Sequence, residues 1–312
     1  MFATQQHKLT SFNEFLLLNQ EPLTKTKGNY SLILNYIQDC CKTISGYVRN
    51  IGLADLLGYN TSLNASGDLM AKLDVFANSV FGKAFKNSKL LYAFASEEDE
   101  TITYLNKDSS YILSIDPIDG SKQSQIHLPS GSIFCLYKKT KDNQLSTGNI
   151  VCAGYCLYSS ATVLLYVDKV RSALFLLDSA TGNFFLAKEN LKLPDKGTDY
   201  SVNEAYINDF YDKDKTYLNK LKQQKYSLRY VGTLVADMHR TILQGGVFLY
   251  PFTKTNQTGK LRVVFEILPF SFIINKLGGK VKTSATKIKL SNKTVHNKAD
   301  FMAGSIKELN YY

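Results

Sequence analysis

The chain has 312 residues, of which 44% are hydrophobic and 21% are charged, so a disordered protein is excluded and a large core is within reach. No apolar run reaches the roughly 18 residues of a membrane span, and no N-terminal segment is typical of a secretion signal, so we expect a cytoplasmic protein with no membrane partner. The five cysteines lie in apolar surroundings without zinc-type spacing, which predicts reduced core residues.

The formal net charge of +10 invites a nucleic-acid interpretation, but its distribution does not support one. Lysines are densest over residues 188–196, 213–225 and 280–293, and no predicted helix carries a continuous basic stripe with interleaved aromatic residues. We therefore expect a solvated surface and no nucleic-acid partner. A positive field of this kind also steers phosphorylated substrates towards a site.

In chain order, apolar spacing first predicts helices over residues 31–57 and 72–85. Apolar runs bounded by turn residues then predict strands over residues 90–95, 111–116, 131–138, 148–157, 161–167, 172–177 and 184–187. The segment 190–200 contains Pro194 and Gly197 and is the predicted junction between an N-terminal domain, 1–193, and a C-terminal domain, 194–312. Beyond it we predict a helix over 235–243, a strand over 247–250 and mostly helix over 261–277.

The most informative segment is the sequence YILSIDPIDGS at 111–121. An apolar strand is predicted to end at Asp116, and Pro117 starts a turn that can return Asp119 to the side of Asp116. Two carboxylates facing one cation suit Mg²⁺ beside a phosphate, which the backbone N–H groups of Gly120 and Ser121 can bind. The same residues also fit an ordinary surface turn.

Other acidic clusters favour the metal interpretation. Asp68 follows Gly67, Asp74 opens the second predicted helix, and Glu97 and Glu98 follow the apolar run at 90–95. Each cluster alone is typical of a helix cap or a solvated face. One shared metal site accounts for all of them, since paired cations roughly 3.5 to 4 Å apart need about this many carboxylates.

Taken in order, these motifs make the chain similar to class I fructose-1,6-bisphosphatases, within the lithium-sensitive sugar and inositol phosphatase superfamily. The similarity begins near Gly28 and covers nearly the whole chain. Its pieces are residues 47–52, 67–68, 72–74, 96–99, 116–121, 131–134, 153–155, 201–206, 229–240, 245–251 and 259–262, followed by Glu266.

The resemblance implies an α/β fold of two domains with alternating helix and sheet layers and a site between the domains. It implies hydrolysis of the 1-phosphate of fructose 1,6-bisphosphate to fructose 6-phosphate, with two or three Mg²⁺ ions, or Mn²⁺ as the alternative, in a homotetramer or at least a dimer. The implied metal ligands are Glu97, Glu98, Asp116, Asp119, Glu266 and the carbonyl of Ile118. Asp74, Glu98 and Asp68 are the implied catalytic carboxylates around the attacking water.

The resemblance also assigns the substrate-binding residues, which are Gly120, Ser121 and Lys122 at the leaving phosphate, then Asn203, Tyr206, Arg229, Tyr230, Tyr250 and Lys260. Arg229 matches an arginine that reaches this pocket from a neighbouring subunit. From residue type alone, a tyrosine such as Tyr230 or Tyr250 is more often half-buried packing than a ligand.

Departures from the family pattern leave alternatives open. Lys122, Gln123, Ser124 and Gln125 stand where the family usually has Ser-Asn-Ile-Asp, so sedoheptulose bisphosphate competes with fructose bisphosphate as the substrate. An inositol-phosphate phosphatase would carry a late Trp-Asp motif, whereas this chain has no Trp and uses Glu266. A noncatalytic sensor with the same fold is the third alternative, suggested by the unusual 122–125 loop.

Overall fold

The structure, a computed structural model, describes residues 9–18, 29–55, 57–63 and 69–312, so the predicted catalytic residue Asp68 lies outside the described residues. The α-helices are α1 Phe12–Leu18, α2 Asn29–Arg49, α3 Lys72–Phe85, α4 Ser121–Ser124, α5 Asp212–Gln223, α6 Leu234–Gln244, α7 Leu268–Lys276 and α8 Ile306–Asn310. Short 3₁₀ helices cover Thr147–Asn149 and Glu204–Asp209, and a π-helical turn covers Val263–Ile267.

The first part of the chain forms the strands β1 Tyr59–Leu63, β2 Leu69–Ala71, β3 Ala93–Ser96, β4 Thr103–Tyr104, β5 Tyr111–Asp119, β6 Ser130–Lys138, β7 Gln144–Ser146, β8 Ile150–Tyr158, β9 Thr162–Asp168, β10 Ser172–Asp178 and β11 Asn183–Glu189. The later strands are β12 Asp199–Ser201, β13 Ser227–Leu228, β14 Val247–Tyr250, β15 Leu261–Arg262, β16 Lys280–Lys282, β17 Lys287–Lys289, β18 Lys298–Ala299 and β19 Phe301–Gly304.

The larger sheet has eight strands in the order β11-β10-β9-β8-β6-β5-β3-β4. Neighbouring strands are antiparallel except for β3 and β5, which are parallel. Its central strands are buried on both faces, which explains why their sequences are continuous apolar runs and do not alternate with polar residues.

The smaller sheet has five strands in the order β13-β12-β14-β19-β16. Helices α1 to α3 pack on the outer face of the large sheet, α6 and α7 fill the space between the two sheets, and α5 and α8 cover the far face of the small one. The predicted α/β fold with alternating helix and sheet layers is confirmed.

Agreement with the sequence is best where the apolar pattern is strong. Helix α3 and strand β14 have the predicted bounds, whereas α2 ends at Arg49 although the pattern continued to residue 57. The segment 261–277, predicted as mostly helical, begins with a short strand and a π-helical turn before α7. All five cysteines are free and buried, as expected.

No helix in the described ranges combines the length and the apolar character needed to cross a membrane.

Candidate active site

Strand β5 does not end at Asp116 as predicted but continues through Asp119 with an irregularity between the two residues. Asp116 pairs with Ile133 and Asp119 pairs with Gly131, so β5 carries one extra residue relative to β6. In a regular strand, residues three apart point to opposite faces. The bulge changes this, and Asp116 and Asp119 reach the same cavity.

The carboxylate of Asp119 is fixed by helix α6. Its Oδ2 accepts a hydrogen bond of 2.7 Å from the backbone N–H of Val235, in the first turn of that helix. The positive end of the helix dipole also favours a negative charge there. Gly120 then has a left-handed φ of 82°, and a Cβ at this position would lie 2.6 Å from Thr233 Oγ1, so the close approach to α6 requires glycine.

Glu266 comes from the opposite side of the cavity, in the π-helical turn that precedes α7. Its Oε2 accepts a 2.5 Å hydrogen bond from the backbone N–H of Arg262, which fixes the side chain towards β5. Asp116, Asp119 and Glu266 each offer an oxygen, and these oxygens all lie within 4.8 Å of one another. Residues about 150 positions apart in the chain therefore form one carboxylate cluster.

Three further predicted carboxylates line the same cavity. Glu97 and Glu98 directly follow β3, and the backbone N–H of Glu97 donates to the carbonyl of Ile115 on β5 at 2.9 Å. Asp74 lies in the first turn of α3, where its Oδ2 accepts a 3.0 Å hydrogen bond from the backbone N–H of Ala71. Glu97 lines the cavity but is not one of the three residues whose carboxylate oxygens lie within 4.8 Å of one another.

Arg262 was quoted in the sequence motif but given no role, and the structure places it among the carboxylates. Its guanidinium forms a salt bridge with Glu97, and both side chains are largely buried. Glu266, Asp116 and Glu98 are also close enough to Arg262 to raise its pKa. The only signal in the sequence was its position four residues before Glu266.

Burial and mutual repulsion raise the pKa of five carboxyls in the cavity. Burial raises the pKa of Asp74 to about 6, that of Asp119 to about 7 and that of Glu266 to about 7. Burial, followed by repulsion from Glu97, raises the pKa of Glu98 to about 10 and that of Asp116 well above its ordinary value. Fully ionised, these carboxyls would carry more negative charge than Arg262 neutralises, so without a cation some of them hold protons near neutral pH.

These residues fit divalent cations. The cluster offers oxygen ligands only, which is the preference of Mg²⁺ and Mn²⁺. Glu98 Oε2 is buried and has no hydrogen-bond partner in the described part of the chain, an arrangement that is costly unless a cation or a proton is present. The predicted ligand Ile118 lines the cavity, and its N–H donates to Asp116 Oδ1 at 3.1 Å.

The cavity has a volume of about 270 Å³ and includes most of the predicted substrate-binding residues. Those that line it are Gly120, Ser121, Lys122, Tyr230, Tyr250 and Lys260. Lys260 Nζ lies 5.5 Å from the centre of the Tyr250 ring, which places an ammonium group beside two tyrosine hydroxyls. The cavity thus combines carboxylates with cationic and hydroxyl groups, and Lys260 is close enough to Glu266 to lower the pKa of that carboxyl.

The other three predicted substrate-binding residues do not line this cavity. Asn203 caps the 3₁₀ helix Glu204–Asp209 through its Oδ1, which accepts from the N–H of Ala205 at 3.1 Å. Tyr206 is 47% exposed. Arg229 is exposed and donates to the carbonyl of Leu228.

Some residues that line the cavity had no role assigned from the sequence, among them Gln123, Gly232, Thr233, Asp237 and Lys298. Gln123 donates from Nε2 to the carbonyl of Gly232 at 3.0 Å, which joins the unusual 122–125 loop to the segment before α6. Asp237 accepts from the N–H groups of Val231 and Gly232 and so shapes that segment. No local pattern marks such contacts.

Without metal ions, the protein should lose stability as the pH rises from about 4 to above 7. Folding raises the pKa of Asp119 and of Glu266 to about 7, so in this window the folded state binds more protons than the unfolded chain. This contribution is complete below the ordinary carboxyl pKa of about 4 and is lost as the pH passes the folded value. Urea unfolding in EDTA at pH 5, 6, 7 and 8 measures the free energy of unfolding at each pH. Equal stability at pH 5 and pH 8 would contradict the prediction.

Comparison with known proteins agrees with this geometry. Residues 10–189 match the family model for the fructose-1-6-bisphosphatase N-terminal domain, and residues 193–312 match that for its C-terminal domain. The chain is 35% identical over 305 residues to a class 1 fructose-1,6-bisphosphatase of Persephonella marina, covering 95% of both chains. It is also 35% identical over 320 residues to a cytosolic fructose-1,6-bisphosphatase of Arabidopsis thaliana, covering 97% of this chain and 94% of the relative.

A solved structure shows the same fold. The holo form of Leishmania major fructose-1,6-bisphosphatase superposes with a TM-score of 0.90 and 30% identity, covering 98% of each chain. Two family models that together span almost the whole described sequence, and relatives of this identity over full length, settle the family. The chain belongs to the fructose-1,6-bisphosphatase family.

Proposed function

We propose that this chain hydrolyses the 1-phosphate of fructose 1,6-bisphosphate to fructose 6-phosphate, in gluconeogenesis, with two or three Mg²⁺ ions bound in the acidic cavity. Membership of the family sets the reaction class, a metal-dependent phosphoric monoester hydrolysis. The observation that carries the proposal is the convergence of Asp116, Asp119 and Glu266 within 4.8 Å. Glu97, Glu98 and the carbonyl of Ile118 complete the proposed ligand set, and Mn²⁺ is the alternative metal.

When bound, the cations would lower the pKa of a coordinated water and neutralise the charge that develops on the phosphoryl oxygens. Asp74 is the proposed proton acceptor, because a carboxyl with a pKa of about 6 is ionised at neutral pH and remains basic enough to accept a proton. Glu98 lines the same cavity, close enough to Asp74 for that carboxylate to raise its pKa, and is proposed to orient the attacking water. Asp68 is proposed to assist, on the basis of the family resemblance alone.

The phosphate that leaves is proposed to bind at Gly120, Ser121 and Lys122, where β5 turns into α4. Backbone N–H groups there provide hydrogen bonds, and the Lys122 ammonium provides charge. Lys260, Tyr230 and Tyr250 are proposed to bind the sugar and its other phosphate, as they line the same cavity and offer an ammonium group and two hydroxyls. Asn203 and Tyr206 would extend this region from the 3₁₀ helix.

We further propose a homotetramer, or at least a dimer, in which Arg229 completes the cavity of a neighbouring subunit. Arg229 is exposed and does not line the cavity of its own chain, which is consistent with such a role. A cytosolic location is proposed because curated relatives from plants carry that description.

Phosphate release across a substrate panel tests the function. Purified protein would be assayed with fructose 1,6-bisphosphate, sedoheptulose 1,7-bisphosphate and inositol 1-phosphate, each with Mg²⁺, with Mn²⁺ and with EDTA. We expect metal-dependent release that is fastest from fructose 1,6-bisphosphate. Faster release from sedoheptulose bisphosphate or inositol phosphate would select that alternative, and metal binding without turnover would indicate a noncatalytic sensor.

Lys122→Met should raise the KM for fructose 1,6-bisphosphate about threefold, because it removes one exposed, partly screened ammonium group from the leaving-phosphate region. Initial rates at 50 mM and 300 mM salt would measure it, and the difference from wild type should shrink at high salt. Lys298→Met is the matched control, since Lys298 also lines the cavity but has no proposed role. An unchanged KM at low salt would exclude a phosphate contact for Lys122.

A further inference from the structure

The turn at residues 291–297, which joins β17 to β18, contacts both segments that supply the carboxylates of the cavity. It contacts the loop at residues 97–102, which carries Glu97 and Glu98. It also contacts the start of the π-helical turn that carries Glu266. Neither contact involves a side chain that lines the cavity.

Two hydrogen bonds connect the 291–297 turn to the 97–102 loop. His296 Nε2 lies 3.0 Å from the carbonyl oxygen of Asp99, and Asn292 Oδ1 accepts from the backbone N–H of Ile102 at 2.9 Å. A carbonyl oxygen can only accept, so His296 carries a proton on Nε2. The turn therefore fixes the loop at two backbone positions, one of them next to Glu98.

The same turn also holds the segment of Glu266. The carbonyl of Asn297 accepts from the backbone N–H of Val263 at 2.8 Å, and the His296 ring packs against Phe265 with 5.6 Å between ring centres. Phe265 directly precedes Glu266. One imidazole thus bonds to a residue adjacent to Glu98 and packs on a residue adjacent to Glu266.

The 291–297 turn is held together by its own hydrogen bonds and by a buried side chain. The backbone N–H groups of Thr294 and Val295 both donate to the carbonyl of Ser291, and Ser291 Oγ lies 2.9 Å from Thr294 Oγ1. Val295 is 1% exposed and anchors the turn in the core. On its other side, the side chain of Asp99 is held by Asn78 Nδ2 and Lys86 Nζ, each at 2.8 Å, so the loop lies between α3 and the turn.

We propose that the 291–297 turn holds the Glu97–Glu98 loop in register with Glu266, and that His296 and Asn292 are positioning residues for metal binding. This inference rests on the proposed function for the identity of the cavity as a metal site. Backbone hydrogen bonds one and four residues from Glu98 set where its carboxylate lies relative to Glu266. Their loss should weaken metal binding about three- to tenfold, at or below the low end for groups that orient metal ligands.

Mn²⁺ binding to the metal-free protein, followed by the EPR signal of free Mn²⁺, tests the inference without any turnover. His296→Leu keeps bulk and removes the donor, whereas His296→Gln places an amide donor near the same position. Asn292→Ala removes the acceptor, and Asn292→Asp keeps one. We expect three- to tenfold weaker binding in His296→Leu and Asn292→Ala, and nearly wild-type binding in His296→Gln and Asn292→Asp.

His239→Leu is the matched control. His239 is also half-buried, and Tyr155 is both its hydrogen-bond partner, at 2.8 Å from Oη, and its aromatic neighbour. Among the described residues, no hydrogen bond or ring contact joins His239 to either carboxylate segment. Its Mn²⁺ affinity should equal that of the wild type even though its melting temperature falls. Wild-type affinity in His296→Leu, or an equal loss in His239→Leu, would overturn the inference.

The two experiments separate this inference from the proposed function. If the wild-type protein hydrolyses a substrate of the panel and the variants bind Mn²⁺ as tightly as the wild type, only the positioning role is rejected. If the variants bind Mn²⁺ more weakly but neither they nor the wild type hydrolyse any substrate, only the proposed function is rejected.

Discussion

Asp116→Asn is expected to lower kcat for fructose 1,6-bisphosphate about a thousandfold, equivalent to about 4 kcal/mol, while making the metal-free protein more stable. Asp116 is 5% exposed, and burial, followed by the charges of Glu97, Asp119 and Glu266, raises its pKa well above the ordinary value. With a cation, this carboxylate is a ligand. Without one, it must either stay a buried charge beside other charges or take up a proton that the unfolded chain does not bind, so a neutral amide of the same shape should gain about 1 to 2 kcal/mol.

Stopped-time phosphate assays and urea unfolding in EDTA measure the two effects on the same preparation. Asp237→Asn is the control, because Asp237 is also buried and lines the cavity but accepts from the N–H groups of Val231 and Gly232 and pairs with Arg240. That substitution should lower stability. If Asp116→Asn were less stable than wild type in EDTA, the electrostatic description of the cavity would be wrong.

Arg262→Met should destabilise the metal-free protein by about 3 to 5 kcal/mol, the range for removing one partner of a buried ion pair. Its guanidinium is paired with Glu97 and lies near Glu266 and Asp116, and methionine leaves those carboxylates without a compensating charge. Saturating Mg²⁺ should reduce the loss, because the cations supply positive charge in the same place. Unfolding free energies in EDTA and in Mg²⁺ provide the comparison.

Arg262→Lys is the matched variant, since it keeps the charge and loses the planar guanidinium geometry. It should recover part of the stability. The double variant Arg262→Met with Glu97→Gln should be more stable than Arg262→Met alone, because the unpaired partner is then neutral. Equal stability of these two variants in EDTA would show that Glu97 is not the principal partner of Arg262.

The sequence predicted structure and chemistry well where both depend on residues of a single segment. The apolar run before Asp116 indicated a strand, and the residues Asp-Pro-Ile-Asp-Gly indicated two carboxylates followed by a glycine-containing turn, at which the structure shows a left-handed φ. Their acidic character and the order of the motifs along the chain were enough to indicate the family and a metal site. The bulge in β5 was not apparent, because its position is defined by the register with β6.

Contacts between distant segments could not be predicted in this way. Nothing near Asp119 in the sequence shows that Val235 donates to it, and nothing near Glu97 shows that Arg262 neutralises it. The cavity is not lined by Asn203, Tyr206 or Arg229 of its own chain. Their positions depend on where the 3₁₀ helix and β13 lie relative to the small sheet, which the local sequence does not show.

The sequence by itself determined the apolar central strands, the free cysteines and the carboxylates available for chemistry, because each depends on residue type and on short-range periodicity. The layered fold class came from the ordered motifs that the chain shares with its family. Only the tertiary structure decided which carboxylates meet within 4.8 Å, that Arg262 lies among them and that the 291–297 turn touches both segments. The reason is physical: these distances depend on how α6 and α7 pack between the two sheets, and packing joins residues whose separation along the chain carries no information about their separation in space.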